Sequence, residues 1–317
     1  MQVPVHLRRT RKDITRQPLL ERADILQLRH YVTSFRASAP EPTRLVRQAG
    51  AGEAASHHRG LGTEYEESRP YQPGDDARFM NWRLTARTGE PFMKVFREPR
   101  RRTSMLVVDR RSGMRFGTRT QLKARQAAQA AGLLAFASVS ENMALGALLI
   151  DAHPQWVQPR GGQSAALEIV YRAAAPCPPK RSSIEPSWGQ LLKQLPGMLP
   201  SASSVVLISD FLDLAPADRR PLLNLCRAHD VLAIQVLDPA ELQLPDAGPL
   251  ALTSPGRSTE VDIDSSDPGL RAAYAAAAAD YLAQRERLLR ESGAAVLRVL
   301  TDEPLADVAP RVLSVEY

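Results

Sequence analysis

The chain has 317 residues, 44% hydrophobic and 24% charged, which is ordinary globular usage and enough for one sizeable core with an appended segment. Those proportions exclude a disordered protein, and no stretch reaches the roughly 20 apolar residues of a membrane helix. The formal net charge is +6, concentrated in residues 1–36, where eight Arg or Lys face three acids, and in a second cluster at Arg97, Arg100, Arg101 and Arg102. Such clusters suit an acidic protein face, an anionic membrane surface or nucleic acid, or they are plain solvated charge. No aromatic stacking pattern accompanies them, which counts against nucleic acid.

The start, MQVPVHLRRTRKD, lacks an apolar run, so no secretory signal is expected. Cys177 and Cys226 show no CxxC or Cys/His spacing, which points to reduced cytoplasm rather than a disulfide or zinc scaffold. Residues 20–36 have the apolar spacing of one amphipathic helix. A loop-rich stretch follows, and residues 59–102 are dense in turn residues, Arg and Asp, with a strand at 92–96.

From Ser104 strands and helices alternate. Strands are expected at 104–109, 143–151, 204–210 and 231–238, with a short edge strand at QWVQP and a last strand at 294–301. Helices are expected at 121–141, 164–175 and 217–229. Residues 239–263 read as a small β-hairpin insertion around a Pro-Gly turn. Asp267, Pro268 and Gly293 frame a long helix as N-cap, first-turn proline and C-terminal glycine. This rhythm predicts an α/β fold: a mainly parallel, doubly wound, Rossmann-like sheet over 103–317, with an irregular N-terminal decoration over 1–102 packed on it.

Ligands of such sheets bind outside the carboxyl ends of the strands, and Asp109, Asp151, Asp210 and Asp238 all stand at strand ends. Asp109 and Asp210 are expected on one edge, near the point where the strand order reverses.

The block RGLGTEYEESRPYQPGDDARFMNWRLTARTGEPFMKVF (59–96), followed by a strand ending in Asp, resembles the domain-of-unknown-function 58 family. The likeness continues in VLDPAELQLPDAG (236–248) and EVDIDSSDPGLRAAYAAAAADYLAQRERLL (260–289). The resemblance implies a von Willebrand A-like domain and a partnership with MoxR-type AAA+ ATPases. Domains of that kind often hold a divalent ion through an Asp-x-Ser-x-Ser loop, a Ser or Thr from a second loop and an Asp from a third. Here Asp109 matches the first ligand, while Arg111 and Gly113 stand at the two serine positions. Ser112, Ser164 and Asp210 are the remaining candidates, so at most weak Mg²⁺ binding is expected. Arg111 offers an alternative, as a bidentate partner for Asp109 or Asp210 in the metal's place.

In the Arg-rich block, Arg69, Asp75, Asp76, Arg78, Trp82, Arg83 and Arg87 form either a partner surface or a charge network that fixes an irregular segment; with Tyr65, Tyr71 and Trp82 interleaved, the packing role is the expected one. Asn81 departs from the family, which usually has Asp before the Trp, and Pro99 interrupts an expected acidic run.

No G-x-S-x-G elbow, HExxH or P-loop is present, so no catalytic role is expected. The expected function is a cytoplasmic adaptor acting with a MoxR-type ATPase and a client protein. The competing classes are a basic binder of nucleic acid or anionic membrane and a divalent-metal-dependent adhesion module.

Overall fold

The computed structural model describes residues 17–38, 64–72, 75–97, 102–176, 185–253 and 260–315. The expectations for Pro99, Arg100, Arg101 and Cys177 fall outside them. Two compact units are resolved: residues 1–39 together with 102–317, and residues 40–101.

The larger unit is built on a six-stranded sheet. Its strands are β3 (Thr103–Asp109), β4 (Ala144–Ile150), β5 (Gln155–Arg160), β6 (Ser204–Ser209), β7 (Asp230–Leu237) and β10 (Ala295–Leu300). Their spatial order is β10-β7-β6-β3-β4-β5. All neighbours pair in parallel except β4 with β5, which is antiparallel. The chain winds outward from β3 to one side, returns, and winds outward from β6 to the other, so the order reverses between these two central strands.

Runs such as SMLVV and SVVLIS form strands because both of their faces are covered by helices. Leu106, Val108, Leu145, Leu149, Val206 and Ile208 enter one core with α1 (Arg22–Ser38), α3 (Lys123–Ser140), α4 (Gln163–Ala173) and α9 (Leu305–Ser314). Met105, Val107, Leu148, Val205 and Leu207 alternate onto the opposite core with α5 (Trp188–Met198), α6 (Arg219–Ala228) and Leu289 of α8 (Pro268–Glu291). A short α7 (Pro239–Leu242) precedes the antiparallel hairpin β8 (Pro249–Thr253) and β9 (Glu260–Asp264). Helix α1 packs on α3 and belongs with the sheet, whereas the sequence division at 102 had grouped it with the N-terminal segment.

Both rims of the sheet carry polar closures. On β10, the carbonyls of Val296 and Arg298 accept from Arg290 and Arg311, and the Leu300 amide donates to Glu303 at 2.9 Å. On β5, Pro159 removes a main-chain donor.

The smaller unit contains a two-stranded antiparallel sheet of β1 (Glu64–Pro70) and β2 (Phe92–Arg97), with α2 (Trp82–Thr88) between them in sequence.

Candidate functional site: an ion-paired strand edge

The carboxyl edge of the sheet at the reversal point is where a ligand of this architecture would sit. Val108 of β3 pairs with Ile208 of β6, so Asp109 and Asp210, one and two residues further on, lie side by side there. Both are buried, at 1% and 5% exposure.

Every oxygen of Asp109 is engaged. Oδ1 accepts from the Arg111 amide at 2.9 Å and its Nε at 3.0 Å, while Oδ2 accepts from Arg111 Nη2 at 2.7 Å and Ser209 Oγ at 2.6 Å. Arg111 also grips Asp213 with both terminal nitrogens, at 2.8 and 2.9 Å, and donates to the Pro186 carbonyl. One guanidinium therefore ties the loop after β3 to the loop after β6 and to the segment before α5. The Trp188 indole donates to Ser209 Oγ at 3.0 Å, fixing the hydroxyl that donates to Asp109.

Asp210 is answered by a different cation. Lys123, at the first turn of α3 and 1% exposed, places Nζ 2.7 Å from Asp210 Oδ2 and 2.6 Å from Glu241 Oε1. The other Asp210 oxygen accepts from the Leu212 amide. Asp238, at the end of β7, is held by Thr118, Thr301 and the Ala240 amide. Burial pushes its carboxyl up, but the hydrogen bonds from Thr118 and Thr301 outweigh that and leave it below the ordinary range. Burial also opposes charge on Arg111 and Lys123, yet the carboxylates around them prevail and raise both, so the two cations stay charged.

The donor set does not fit a divalent ion. Mg²⁺ requires free oxygens at roughly 2.0–2.1 Å in octahedral array, and here the oxygens of Asp109 and Asp210 already accept from protein donors. Ser112 spends its hydroxyl on Glu185, at 2.6 Å. A side chain at Gly113 would meet Asp210 Oδ2, with a Cβ only 3.2 Å away. Among the described residues, no group of three or more His, Cys, Asp or Glu is placed to hold a metal.

Ser164 is a correction. Because β5 is antiparallel, its last residue, Arg160, lies beside Leu145 at the start of β4, whereas Asp109 pairs with Ile150 at the end. Ser164, four residues on, stands in the first turn of α4 at the opposite end of the sheet, exposed. The Gly161-Gly162 pair before it forms the tight return into α4, with Gly162 at φ 93°. Four residues that share the site carried no local signal: Lys123, Asp213, Glu185 and Glu241.

A family model described as protein of unknown function DUF58 matches residues 67–284, well over half of the chain. The chain belongs to the DUF58 family. An uncharacterized protein of Mycobacterium bovis and one of Mycobacterium tuberculosis are each 34% identical to it over 275 residues, covering 85% of this chain and 86% of theirs. Solved structures give distant matches. The conserved hypothetical protein BatB from Bacteroides thetaiotaomicron aligns with 67% of this chain and 97% of its own length, at 10% identity and a TM-score of 0.43. An aerotolerance-related membrane protein from Bacteroides fragilis aligns with 67% of this chain and 96% of its own, at 12% identity and a TM-score of 0.41. In this DUF58 protein no helix among the described residues is long and apolar enough to cross a membrane.

The family match includes the Arg-rich block of the smaller unit, where the candidate residues divide. Arg69 forks onto Asp75, with Nη1 and Nη2 at 2.7 and 2.6 Å from its two oxygens, and Asp75 also accepts from the Gln72 amide. Arg78 pairs with Asp76 two residues away, at 2.7 Å, in water. Asn81 performs the capping duty expected of an Asp: its Oδ1 accepts from the Leu84 amide at 3.2 Å, while its Nδ2 donates to Ser68. Trp82 and Arg87 take no part in this network. Trp82 is 66% exposed, which corrects the packing role expected of it.

Proposed function

We propose that this DUF58 protein is a non-catalytic protein-interaction adaptor with a von Willebrand A-like domain, acting with a MoxR-type AAA+ ATPase and a client protein in the cytoplasm. The observation that carries the proposal is the saturation of Asp109 and Asp210 by Arg111 and Lys123. At the position where a metal-dependent adhesion domain would keep an open cation, two covalently attached cations stand instead. A partner carboxylate then has no metal to bridge to, and recognition falls to the fixed polar surface around Asp213, Glu185 and Arg111. The sequence offers no G-x-S-x-G, HExxH or P-loop signature, which supports binding over turnover. The doubly wound sheet and the family's resemblance to von Willebrand A-like proteins support the adaptor class.

The test is a pull-down with the full chain as bait and a purified MoxR-type ATPase from the same cell, nucleotide-free, run with magnesium and with a chelator. Equal recovery under both conditions is the expected result. Recovery only with magnesium would overturn the metal-independent reading. Failure to retain the ATPase, with nucleic acid or lipid captured from the cell extract instead, would overturn the adaptor reading.

A further inference from the structure

Helix α2 turns an unusual set of side chains to water. Within one helix, successive residues are about 100° apart, so Trp82, Ala86, Arg83 and Arg87 fall in that order across an arc of roughly 140°. All four are exposed, and the intervening Leu84 and Thr85, on the other side, are half-buried. The helix thus has an inner side that holds it to its unit and an outer side made of an indole, a methyl and two guanidiniums.

A tryptophan left 66% in water, in a segment able to bury Met93 at 4%, is not explained by a shortage of core. Neither Arg83 nor Arg87 has a hydrogen-bonding or ion-pair partner among the described residues, unlike Arg69 and Arg78 in the same unit. Trp and Arg are the residue types most enriched where protein interfaces concentrate their binding energy. The two arginines are spaced i, i+4, which sets their Cβ atoms about 6 Å apart. That matches two carboxylates one turn apart on another helix.

We propose that the Trp82–Ala86–Arg83–Arg87 face of α2 docks a helical segment of a partner protein that presents an apolar side chain beside two carboxylates one turn apart. Charge decides for a protein helix over a polyanion. Residues 64–97 hold six acids (Glu64, Glu66, Glu67, Asp75, Asp76, Glu90) and six bases (Arg69, Arg78, Arg83, Arg87, Lys94, Arg97), so their net charge is zero. Nucleic acid and anionic membranes are gathered by an extended positive field. On the α2 face the positive charge comes from two side chains beside a single ring. This surface belongs to the smaller unit and does not rest on the ATPase reading.

The probe is a labelled, alanine-based helical peptide carrying Leu between two Glu residues four positions apart, titrated into the full chain and followed by fluorescence anisotropy. A matched peptide with Lys for Glu, a labelled oligothymidine and phosphatidylserine vesicles serve as competing ligands. The expected result is saturable binding of the Glu peptide, weakened about tenfold or more in W82A. The double variant R83E/R87E is expected to lose the Glu peptide and gain the Lys peptide, a reciprocity that misfolding cannot produce. The proposal falls if the Glu peptide does not saturate by about 1 mM, if W82A binds it as the parent chain does, or if the charge swap fails to exchange the two peptides. It also falls if oligothymidine or vesicles outcompete the peptide at physiological salt.

Discussion

Lys123 shows how one residue can decide what a strand edge is for. Its ammonium lies between Asp210 and Glu241 with 1% exposure, so it is the counter-charge for two carboxylates that burial alone would penalise. Burial raises the Glu241 carboxyl, and Lys123 pulls against that rise. Removing one partner of such a pair costs about 3–5 kcal/mol, because the other charges stay buried without compensation. Lys123→Ala is therefore expected to lower unfolding free energy by about that amount in urea titrations. Lys123→Met combined with Asp210→Asn and Glu241→Gln is expected to recover most of the loss. A loss below about 1 kcal/mol for Lys123→Ala would show that the ammonium is no essential counter-charge. Asp109 and Asp210 were legible because each ends a run of apolar residues. Their cations were only partly so: Arg111 sits two residues from its carboxylate, but Lys123 is 87 positions from Asp210 and 118 from Glu241. A pairing made by tertiary structure over that distance leaves no pattern along the chain.

Helix α3 is the element most dependent on its neighbours. It is buried along most of its length, including Ala127, Ala128, Ala130, Ala131 and Ala135, and its small residues let α1 and α4 approach closely. Gly132 marks the tightest approach: a Cβ there would lie 2.6 Å from Leu28 Cδ1 of α1 and 3.6 Å from Val170 of α4. In an exposed helix, Gly→Ala stabilises by about 1 kcal/mol. At this position the sign should reverse. Gly132→Ala is expected to destabilise by about 1–3 kcal/mol, since Leu28 is fully buried and has nowhere to move. An unchanged or raised midpoint of thermal unfolding would mean that α1 does not press on α3. The main elements of the sheet unit were readable from periodicity and punctuation, and α8 was framed by its caps, with Asp267 accepting from the Gly269 amide. Helices α5 and α9 were not. Each is short and contains a proline, Pro196 and Pro310, which local rules count as a break. Burial of Leu191, Leu192 and Leu195 in one and of Val308 and Val312 in the other overrides that penalty.

At the scale of the whole molecule, folding and divalent ions should be uncoupled. A native-state ligand stabilises by RT ln(1 + [L]/Kd), about 2.7 kcal/mol at a hundredfold excess over Kd. If the edge took up Mg²⁺ with a Kd of about 0.1 mM, 10 mM magnesium would raise the unfolding midpoint by several degrees. The expectation is no shift between 10 mM magnesium and a chelator, read by calorimetry; a shift of several degrees would show that the ion displaces Lys123 or Arg111. The doubly wound order was legible in outline, since alternating strands and helices leave few alternatives. The reversed direction of β5 was not, because a short edge strand reads alike in either direction, and that reversal sends Ser164 away from the aspartates.

The treatment of the sheet's rims bears on how the protein behaves in a crowded cell. An open rim is a template: its free amides and carbonyls accept any extended chain, which is how sheets seed fibrils and swapped assemblies. Here the β10 rim is occupied by Arg290, Arg311 and Glu303, and β5 carries Pro159, which has no main-chain donor to offer. Strand-by-strand addition of further copies at these two rims is therefore disfavoured. Association through these two rims then depends on side chains, which single substitutions can change, and not on a main chain, which they cannot.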